Sequence, residues 1–461
     1  MNKIFSYFNW PAKYSSKNLR LDILAGLTVA LVLIPQSMAY AELAGLPPYY
    51  GLYASFLPPL IASLFGSSRQ LATGPVAVVS LLTATTLEPL ATAGSQQYIA
   101  YAILLALLIG VFQFALGVLK LGLVVNFISH PVVNGFSNAA AIIIATSQLP
   151  KLFGIYVDKA PYHYETIYRV FKTAGHYTHW PTLLMGVLAF VIMYGLKRLA
   201  PRLPNVLVAV VVTTGLSWGF GFENNMSADM QTIHSQHLKQ MVTKYNRAID
   251  AIADMTEKRA KLIQRLNMNK DALDAHAMLD TRHAAERLAL RIQQYKEDVA
   301  DYRRQIRSVL FGGVRDKDDV LSFHPINQIA SHTRGDGRIW RLDVGKAALQ
   351  TDRLQMIGGG DVVGDIPRGL PSFSLPQIDV HIILHLLPFV ANISLLGFTE
   401  AISVAKAMAA KTGQRLDPNR ELIGQGLANI CGAVAKSYPV SGSFSRSAVN
   451  LQSGAVSGLS S

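Results

Sequence analysis

Charged residues are scarce in this 461-residue chain, where they make up 15% of the residues against 50% hydrophobic ones. Soluble domains carry roughly 25% charged residues, so the composition argues against a soluble globular protein. Between positions 21 and 150 the charged side chains are those of Asp22, Glu42, Arg69, Glu88 and Lys120. Their spacing leaves apolar runs of about 20 residues, which is the length of a helix that crosses a bilayer. The sequence therefore predicts an all-α polytopic membrane protein.

The chain has a single cysteine, Cys431, which lies inside an apolar run. This excludes an intrachain disulfide and favours an inert buried thiol. The net charge of +13 does not indicate a nucleic-acid partner, because the basic residues lie at the ends of apolar runs and in one polar segment. No cleavable signal peptide is expected, since the first apolar stretch is too long for one.

We predict about ten spans, each close to the length that a bilayer requires. Basic residues near the N-terminus (Lys3, Lys13, Lys17 and Arg20) place that end in the cytoplasm of a multi-pass protein of the inner membrane. The basic loops after spans 4, 6 and 8 then also face inward. The predicted spans cover residues at about 22–44, 51–66, 71–88, 98–118, 130–149, 180–196, 204–220, 383–405, 420–436 and 438–447.

A polar segment interrupts the spans and divides the chain into three predicted domains. These are a membrane repeat at 1–222, a polar insert at 223–361 on the outer or periplasmic side, and the start of a second membrane repeat at 362–461. The stretch from Asn225 to Phe311 contains no glycine or proline, and its apolar residues recur at spacings of 3 and 4. This pattern predicts an extramembrane antiparallel helical hairpin of the coiled-coil type. Residues 312–361 are expected to form loops or a small cap. The predicted seams comprise Leu238, Val242, Tyr245, Ile249 and Ile252 in one helix, and Leu288, Ile292, Tyr295, Val299, Tyr302, Ile306 and Val309 in the other.

Two of the predicted spans are broken by proline and glycine. The third carries Thr73-Gly74-Pro75, and because proline is tolerated in the first turn of a helix, we predict a helix that starts at about Pro75, inside the bilayer. Its unpaired N–H groups must face protein or a water-filled cavity, and their partial positive charge suits an anion. A second break lies at 438–447. Two such breaks, far apart in sequence, indicate the binding site of a secondary transporter.

Candidate ligand-binding residues lie next to these breaks. Gln36 and Tyr40 are four positions apart in the first span, after Pro35, and so share one helix face. Arg446 lies in the second break beside Ser443 and Ser445, where a guanidinium group would face an anion. The alternative for Arg446 is a structural salt bridge.

Three ionisable groups are candidates for other roles. Glu400 lies near the middle of the eighth span, where a carboxylate is expected to face a cavity or an ion pathway, the alternative being a neutral structural carboxyl group. Glu42 is either a coupling residue or an outer interface residue. Lys406 is expected to anchor the inner end of its helix. The histidines of the insert, such as His234 and His276, are expected to be solvated, since no tight ligand cluster accompanies them, and we predict no bound metal or cofactor.

No nucleophile–base pair and no nucleotide-binding loop was identified, so we do not expect an enzyme. Seven motifs of the chain are long and specific, namely Pro35–Ala41, Leu46–Ala54, Phe65–Arg69, Thr73–Ser80, Val363–Pro371, Phe398–Lys406 and Tyr438–Ser447. Through these motifs the chain resembles the sulfate permease (SulP) family of anion transporters over residues at about 1–222 and 362–461.

That resemblance implies a transporter of two inverted repeats of seven spans, with spans 3 and 10 as half-helices that meet at the substrate. It implies an elevator mechanism, a homodimer and an inorganic anion as substrate, sulfate first. Glu400 would match the acidic position of span 8 at which some members bind Na⁺ or take a proton, and we add Glu42 as a second candidate. The implied substrate-binding residues are Gln36, Tyr40, Gly74, Val76, Ser443, Phe444, Ser445 and Arg446.

Two features depart from the family pattern. The last four spans and the C-terminal STAS domain of a typical member lie outside this chain, so we expect a truncated permease. The insert at 223–361 is also longer than the usual connection. The leading hypothesis is an anion transporter coupled to H⁺ or Na⁺ in a lipid bilayer. The alternatives are a bicarbonate or other small-anion transporter, a nucleobase permease, which Arg446 disfavours, and a non-transporting anchored binding or assembly module.

Overall fold

The computed structural model describes residues 15–122, 130–157, 160, 162–200, 205–268, 275–315, 321–326, 335–345, 347–360, 366–376 and 378–461. Helices dominate this part of the chain. The first half contains nine helices and one short strand within the described residues. In chain order these are α1 (Ser16–Leu43), α2 (Tyr49–Ala54), α3 (Leu57–Phe65), β1 (Ala72–Gly74), α4 (Ala77–Leu87), α5 (Gln96–Val118), α6 (His130–Phe153), α7 (His163–Tyr177), α8 (Trp180–Leu199) and α9 (Asn205–Gly219).

The polar insert contains two long helices and a small sheet. Its elements are β2 (Asn225–Ala228), α10 (Gln236–Met268), α11 (Ala275–Ser308), β3 (Phe311–Arg315), β4 (Leu321–Pro325), β5 (Gly335–Leu342) and β6 (Leu354–Ile357). The remaining elements are α12 (Val380–Thr412), α13 (Pro418–Val434), β7 (Ser441–Ser443) and α14 (Phe444–Gln452).

The membrane character of the chain is visible in its apolar helices. Four described helices are long and apolar enough to span a bilayer: α1, α5, α8 and most of α12, over residues Ile382–Thr412. Shorter apolar helices include α4 and part of α9, over Val208–Gly219. The prediction of an all-α polytopic protein is confirmed, and the chain is a multi-pass integral membrane protein.

Several boundaries differ from the predicted ones. The second span is two short helices, because the chain turns at Ser55 and Phe56 between α2 and α3. The stretch between the predicted spans at 130–149 and 180–196 contains α7, an amphipathic helix that the span prediction did not include. The broken third span starts its helix at Ala77 and not at Pro75, which lies in the turn between β1 and α4. The reason is that β1 pairs with another strand, so the backbone before Ala77 is extended.

The two long helices of the insert pack against each other, as the seam pattern predicts. Leu238, Val242 and Tyr245 of α10 are buried in one cluster with Ile292, Val299 and Ile306 of α11. Tyr295 is an exception, because 37% of its surface is exposed. Since α10 and α11 are joined by only a few residues, their packing makes them an antiparallel pair.

Residues 312–361 were predicted as loops or a small cap, and the loop prediction was wrong where the structure forms strands. They contribute β3 to β6, which with β2 form a five-stranded sheet in the order β2-β6-β5-β3-β4. Phe311, Phe323 and Trp340 of the sheet are buried in the same cluster as the helical seam. The sheet was missed because its strands are short and rich in polar residues.

The described chain forms two compact units. The first comprises residues 1–145, 193–208 and 363–461, and the second comprises residues 146–192 and 209–362. In the first unit, α13 packs on α5 and α3, and glycines allow the close approach of these helices. A Cβ at Gly110 would come within 2.7 Å of the Ile430 backbone nitrogen, and one at Gly426 within 2.5 Å of the Phe114 nitrogen. The domain boundaries proposed from sequence stay predictions.

Candidate functional site

The two broken elements meet in a short antiparallel ladder inside the first unit. β1 pairs with β7 in a register that places Thr73 opposite Gly442 and Gly74 opposite Ser441. Each strand runs directly into a short helix, α4 after β1 and α14 after β7. Because the strands are antiparallel, the two helices leave the ladder in opposite directions while their N-termini lie beside it. Two residues of a strand span about 7 Å, so the two helix N-termini lie close together.

The N-terminus of α4 is formed by Val76, a buried residue with extended backbone that caps the helix without a side-chain hydrogen bond. The N–H groups of the first turn of a helix have no acceptor within the helix, and they carry a partial positive charge. Gly74, two residues earlier, has φ +151°, which glycine adopts at little cost. This end of α4 is therefore suited to an anionic ligand.

Arg446 projects from the first turn of α14 into this region and is 0% exposed. Its Nη1 donates to the Pro75 carbonyl oxygen at 2.8 Å and to Gln36 Oε1 at 3.1 Å. A Cβ at Gly74 would lie 3.2 Å from Arg446 Nη2. The missing side chain at Gly74 thus leaves the space in which the guanidinium lies.

The guanidinium of Arg446 is not fully satisfied by the protein. Within the described residues, its Nε and Nη2 atoms are buried and have no hydrogen-bond acceptor. Leaving a buried charge uncompensated costs about 3–5 kcal/mol, so proteins rarely do so without a purpose. The geometry leaves two donors of a buried cation available beside the N-terminus of α4.

Gln36 and Tyr40 of α1 share one face, as predicted, and form the wall opposite Arg446. Gln36 Nε2 donates to Tyr40 Oη at 3.0 Å and lies 3.4 Å from Ser445 Oγ, while its Oε1 accepts from Arg446. Ser445 is exposed, and its Oγ lies 3.3 Å from Ser443 Oγ, which accepts from the backbone N–H of Arg446 at the start of α14. We call Gln36, Tyr40, Gly74, Ser445 and Arg446 the Arg446 cluster.

Glu400 on α12 lies at the edge of the Arg446 cluster. Its charge interacts with that of Arg446, yet no salt bridge within 4.0 Å joins the two in the described chain. Glu400 Oε2 is buried and has no hydrogen-bond partner among the described residues. One turn earlier, the Gly397 carbonyl accepts from Ser441 Oγ at 2.7 Å, which ties α12 to β7. A carboxyl group in this position can exchange a proton or hold a small cation beside the arginine.

Two polar residues of α13 support the broken elements and were missed in the sequence. Gln425 Nε2 donates to Thr73 Oγ1 at 2.8 Å. Asn429 accepts from the Val440 N–H at 2.9 Å and donates to the Val440 carbonyl at 3.2 Å. Gln425 and Asn429 are buried four positions apart in the part of α13 after Glu421, which is otherwise apolar. That i, i+4 pair of amides was a signal that could have identified them.

Three of the singled-out residues have exposed side chains outside the Arg446 cluster. Glu42 is exposed one position before the end of α1, and Phe444 at the start of α14 is 60% exposed. Lys406 is exposed on α12, as an anchoring residue would be. The parts that Glu42 and Phe444 would play stay predictions. Within the described residues no three His, Cys, Asp or Glu side chains are grouped in a way that could hold a metal ion.

Comparison with known proteins identifies the family of this chain. The profile of the sulfate permease family matches residues 19–264 and 347–461, and the unmatched stretch between them lies in the insert. The chain belongs to the sulfate permease family. It is 32% identical to the chloroplastic sulfate transporter 4.1 of Arabidopsis thaliana, over all of this chain and 48% of the plant protein. It is 28% identical to the sodium-independent sulfate anion transporter of Bos taurus, over 98% of this chain and 57% of the bovine one.

Solved structures show a similar fold. The anion transporter Slc26a9 of mouse in the inward-facing state aligns with a TM-score of 0.61 at 18% identity, over 99% of this chain and 56% of that one. The transmembrane domain of the cyanobacterial bicarbonate transporter BicA aligns with a TM-score of 0.57 at 19% identity, over 97% of this chain and 80% of that domain. This chain of the sulfate permease family thus spans about half the length of the sulfate transporters that it matches.

Proposed function

We propose that this chain forms the substrate-binding part of a secondary transporter that carries an inorganic anion, most readily sulfate, across the cytoplasmic membrane. The single observation that carries the proposal is Arg446, a fully buried guanidinium with two donors that lack acceptors among the described residues. A desolvated arginine matches the oxygens of a tetrahedral oxyanion. The sulfate transporters of Arabidopsis and cattle among the relatives support the choice of sulfate.

The helix N-termini supply the second half of the anion site. The first-turn N–H groups of α4 and α14 lie at the two ends of one short ladder, and both favour negative charge. The hydroxyl of Ser445 adds a neutral donor on the exposed side. A cation would be repelled by the arginine and by both helix ends. This set of groups supports an anion over a nucleobase or a metal ion.

Coupling is assigned to Glu400 in this proposal. When Glu400 is ionised, its negative charge opposes that of an incoming anion, and a proton or Na⁺ at its carboxyl group removes that repulsion. The buried, unpartnered Glu400 Oε2 is the observation in favour. Cation and anion would then bind together, which is the thermodynamic requirement for coupled uptake.

An elevator movement is the mechanism that we propose for translocation. All members of the Arg446 cluster, together with Glu400, belong to the first compact unit of residues 1–145, 193–208 and 363–461. A site built within one unit can move with that unit as a rigid body, without being taken apart. We further propose a homodimer in the inner membrane with a cytoplasmic N-terminus, since Lys17 and Arg20 begin the first span.

Binding of radiolabelled sulfate to the purified chain tests the site independently of movement, and uptake into proteoliposomes then tests transport. We expect saturable sulfate binding that bicarbonate competes only weakly. Preferential binding of bicarbonate would favour the other small-anion class, which BicA represents among similar folds. Absence of saturable binding for either anion would contradict the transporter proposal and favour an anchored assembly module. Binding without uptake would support the site while indicating that further segments are needed for movement.

A further inference from the structure

The second compact unit contains a cavity that shares no residue with the Arg446 cluster. Its volume is about 640 Å³, and all of its lining residues fall within residues 146–192 and 209–362. Three parts of the unit form it: residues 155–157 after α6 together with one face of α7, the C-terminal turn of α11, and Arg341 on β5. Pockets of roughly 300–1,000 Å³ are the size that binds organic ligands, so the cavity is too large for one inorganic ion.

The cavity is strongly cationic. Five basic side chains line it against the single carboxyl group of Glu165, and they come from three separate elements. Such convergence is not expected of a solvated helix face, which distributes like charges apart or pairs them. The basic residues are Arg169, Lys172, Arg304, Arg307 and Arg341.

The five cations are not equally engaged by the protein. Arg304 pairs with Asp301 one turn earlier on α11. Arg307 lies over the ring of Tyr156, 4.7 Å from its centroid, and donates to the Val344 carbonyl oxygen. Arg169 and Arg341 form no salt bridge within the described part of the chain, which leaves them available to a ligand.

Arg341 is held in place by the sheet that carries it. Its neighbours Trp340 and Leu342 are buried in the core of the insert, so the alternation of a strand directs Arg341 to the opposite face, toward α7 and α11. The side chain is partly shielded from water, and burial lowers the pKa of its guanidinium below the ordinary value. A cation that has lost part of its hydration gains more from an anionic partner than an exposed one does.

Tyrosines provide the remaining recognition surface. Tyr156, Tyr168 and Tyr177 line the cavity along with the apolar Ile155 and Leu310. Aromatic rings and arginine planes together accept a flat or apolar group of a ligand while the charges hold its acidic end. The ring of Tyr156 is already oriented by Arg307.

We propose that this cavity binds an organic anion, namely a phosphate or sulfate ester whose remaining part is a ring or an apolar chain. Arg341 and Arg169 hold the acidic group, and the tyrosine wall contacts the rest of the ligand. The same chemistry is offered by a soluble ester and by the headgroup of an anionic phospholipid. This site does not depend on the proposed transport function, because its residues and those of the Arg446 cluster are different.

The experiment is an equilibrium titration of the purified full chain with phenyl phosphate and phenyl sulfate. We expect saturable binding that Arg341→Gln weakens by about tenfold, the value of one charged hydrogen-bonding partner. Arg169→Gln on α7 is expected to weaken binding by a similar factor. Because Arg169 lies outside the sheet, this variant shows whether the loss in Arg341→Gln comes only from a folding defect of the sheet. The matched control is Arg338→Gln, because Arg338 is an exposed residue of the same strand that does not line the cavity. Arg446→Ala should leave phenyl phosphate binding unchanged.

Three results would overturn the proposal: no saturable binding of either ester, equal weakening by Arg338→Gln, or inorganic sulfate binding here as tightly as phenyl sulfate. Two lipid arms identify the source of the ligand. Phenyl phosphate binding is measured in phosphatidylglycerol nanodiscs and in phosphatidylcholine nanodiscs. Weaker binding in phosphatidylglycerol supports a lipid headgroup as the occupant. Equal binding in both supports a soluble ester.

Discussion

Arg446 Nη1 donates a hydrogen bond of 2.8 Å to the carbonyl oxygen of Pro75, across 371 positions of the chain. This bond joins the start of one half-helix to the turn that precedes the other. It uses Nη1 and leaves the buried Nη2 and Nε without acceptors among the described residues. Arg446 is therefore held in position through Nη1, while Nε and Nη2 remain available to bind a ligand.

Replacing Arg446 tests whether those donors bind the anion. We expect Arg446→Ala to weaken sulfate binding about 100-fold, because two charge-assisted hydrogen bonds are lost. Arg446→Lys should recover part of the affinity, since lysine restores the charge but cannot bond the Pro75 carbonyl and the anion in the same way. Lys406→Ala is the control, because Lys406 is exposed on α12. Equal losses in Arg446→Ala and Lys406→Ala would contradict the assignment.

Replacing Gly74 tests whether anion binding needs the space around the Arg446 guanidinium. In Gly74→Ala the new Cβ would lie 3.2 Å from Arg446 Nη2, and we expect weaker anion binding as well as a lower Tm. Positive φ itself strains alanine by about 1–3 kcal/mol, so a control at another glycine with positive φ is needed. Gly94→Ala provides it, since Gly94 has φ +83° in an exposed turn with no atom within 4 Å of a Cβ. Gly94→Ala should lower Tm yet leave sulfate affinity intact; an equal drop in affinity would indicate a general effect of instability.

Replacing Glu400 tests whether its carboxyl group couples anion uptake to H⁺ or Na⁺. Glu400→Gln mimics a permanently neutral carboxyl group, so we expect sulfate binding to persist while uptake loses its dependence on pH and Na⁺. Uptake into proteoliposomes with imposed pH or Na⁺ gradients measures this. Glu42→Gln is the companion variant, because Glu42 is exposed near the end of α1 and should change the gradient dependence less. Unchanged gradient dependence in Glu400→Gln would remove Glu400 from the mechanism.

The insert should lose stability in mild acid. His324 stacks on His234 with ring centroids 4.4 Å apart, and burial, followed by the nearby His234 charge, lowers the pKa of His324. The unfolded chain then binds the proton more readily than the folded one, so stability is full above the unfolded pKa of about 6.5 and falls as the pH drops below it. Thermal unfolding at about pH 7.5 and about pH 5.5 measures this loss. His324→Gln should reduce it, whereas His283→Gln, an exposed residue of α11, should not.

Much of the fold was predictable because it follows from local properties of the chain. A bilayer requires long apolar runs, and these marked α1, α5, α8 and α12 within a few residues. The spacing of Leu238, Val242 and Tyr245 marked a buried helical seam that the structure contains. The five-stranded sheet was not predictable in this way, because its strands are short and the pairing of β2 with β6 joins the two ends of the insert.

The candidate site was likewise only partly predictable from local sequence. Local sequence identified Gln36 and Tyr40 by their spacing, the Thr73-Gly74-Pro75 break by its residues and Arg446 by its place beside serines in the second break. It misplaced the start of α4 by two residues, since it contained no sign that β1 would pair with β7. The supporting amides Gln425 and Asn429 were missed, because the backbone groups that they bond are brought to α13 only by folding.

By itself, the sequence determined that this is a multi-pass membrane protein with two interrupted spans, since hydropathy, proline and glycine act within a few residues of where they occur. Only the tertiary structure decided that the two interruptions form one ladder and that Arg446 is buried against Gly74. It also decided that Arg341, Arg169 and Arg307 line a common cavity in the second unit. The physical reason is that these relationships depend on contacts between segments that are distant in the sequence. Those contacts decide which charged groups are buried and removed from water.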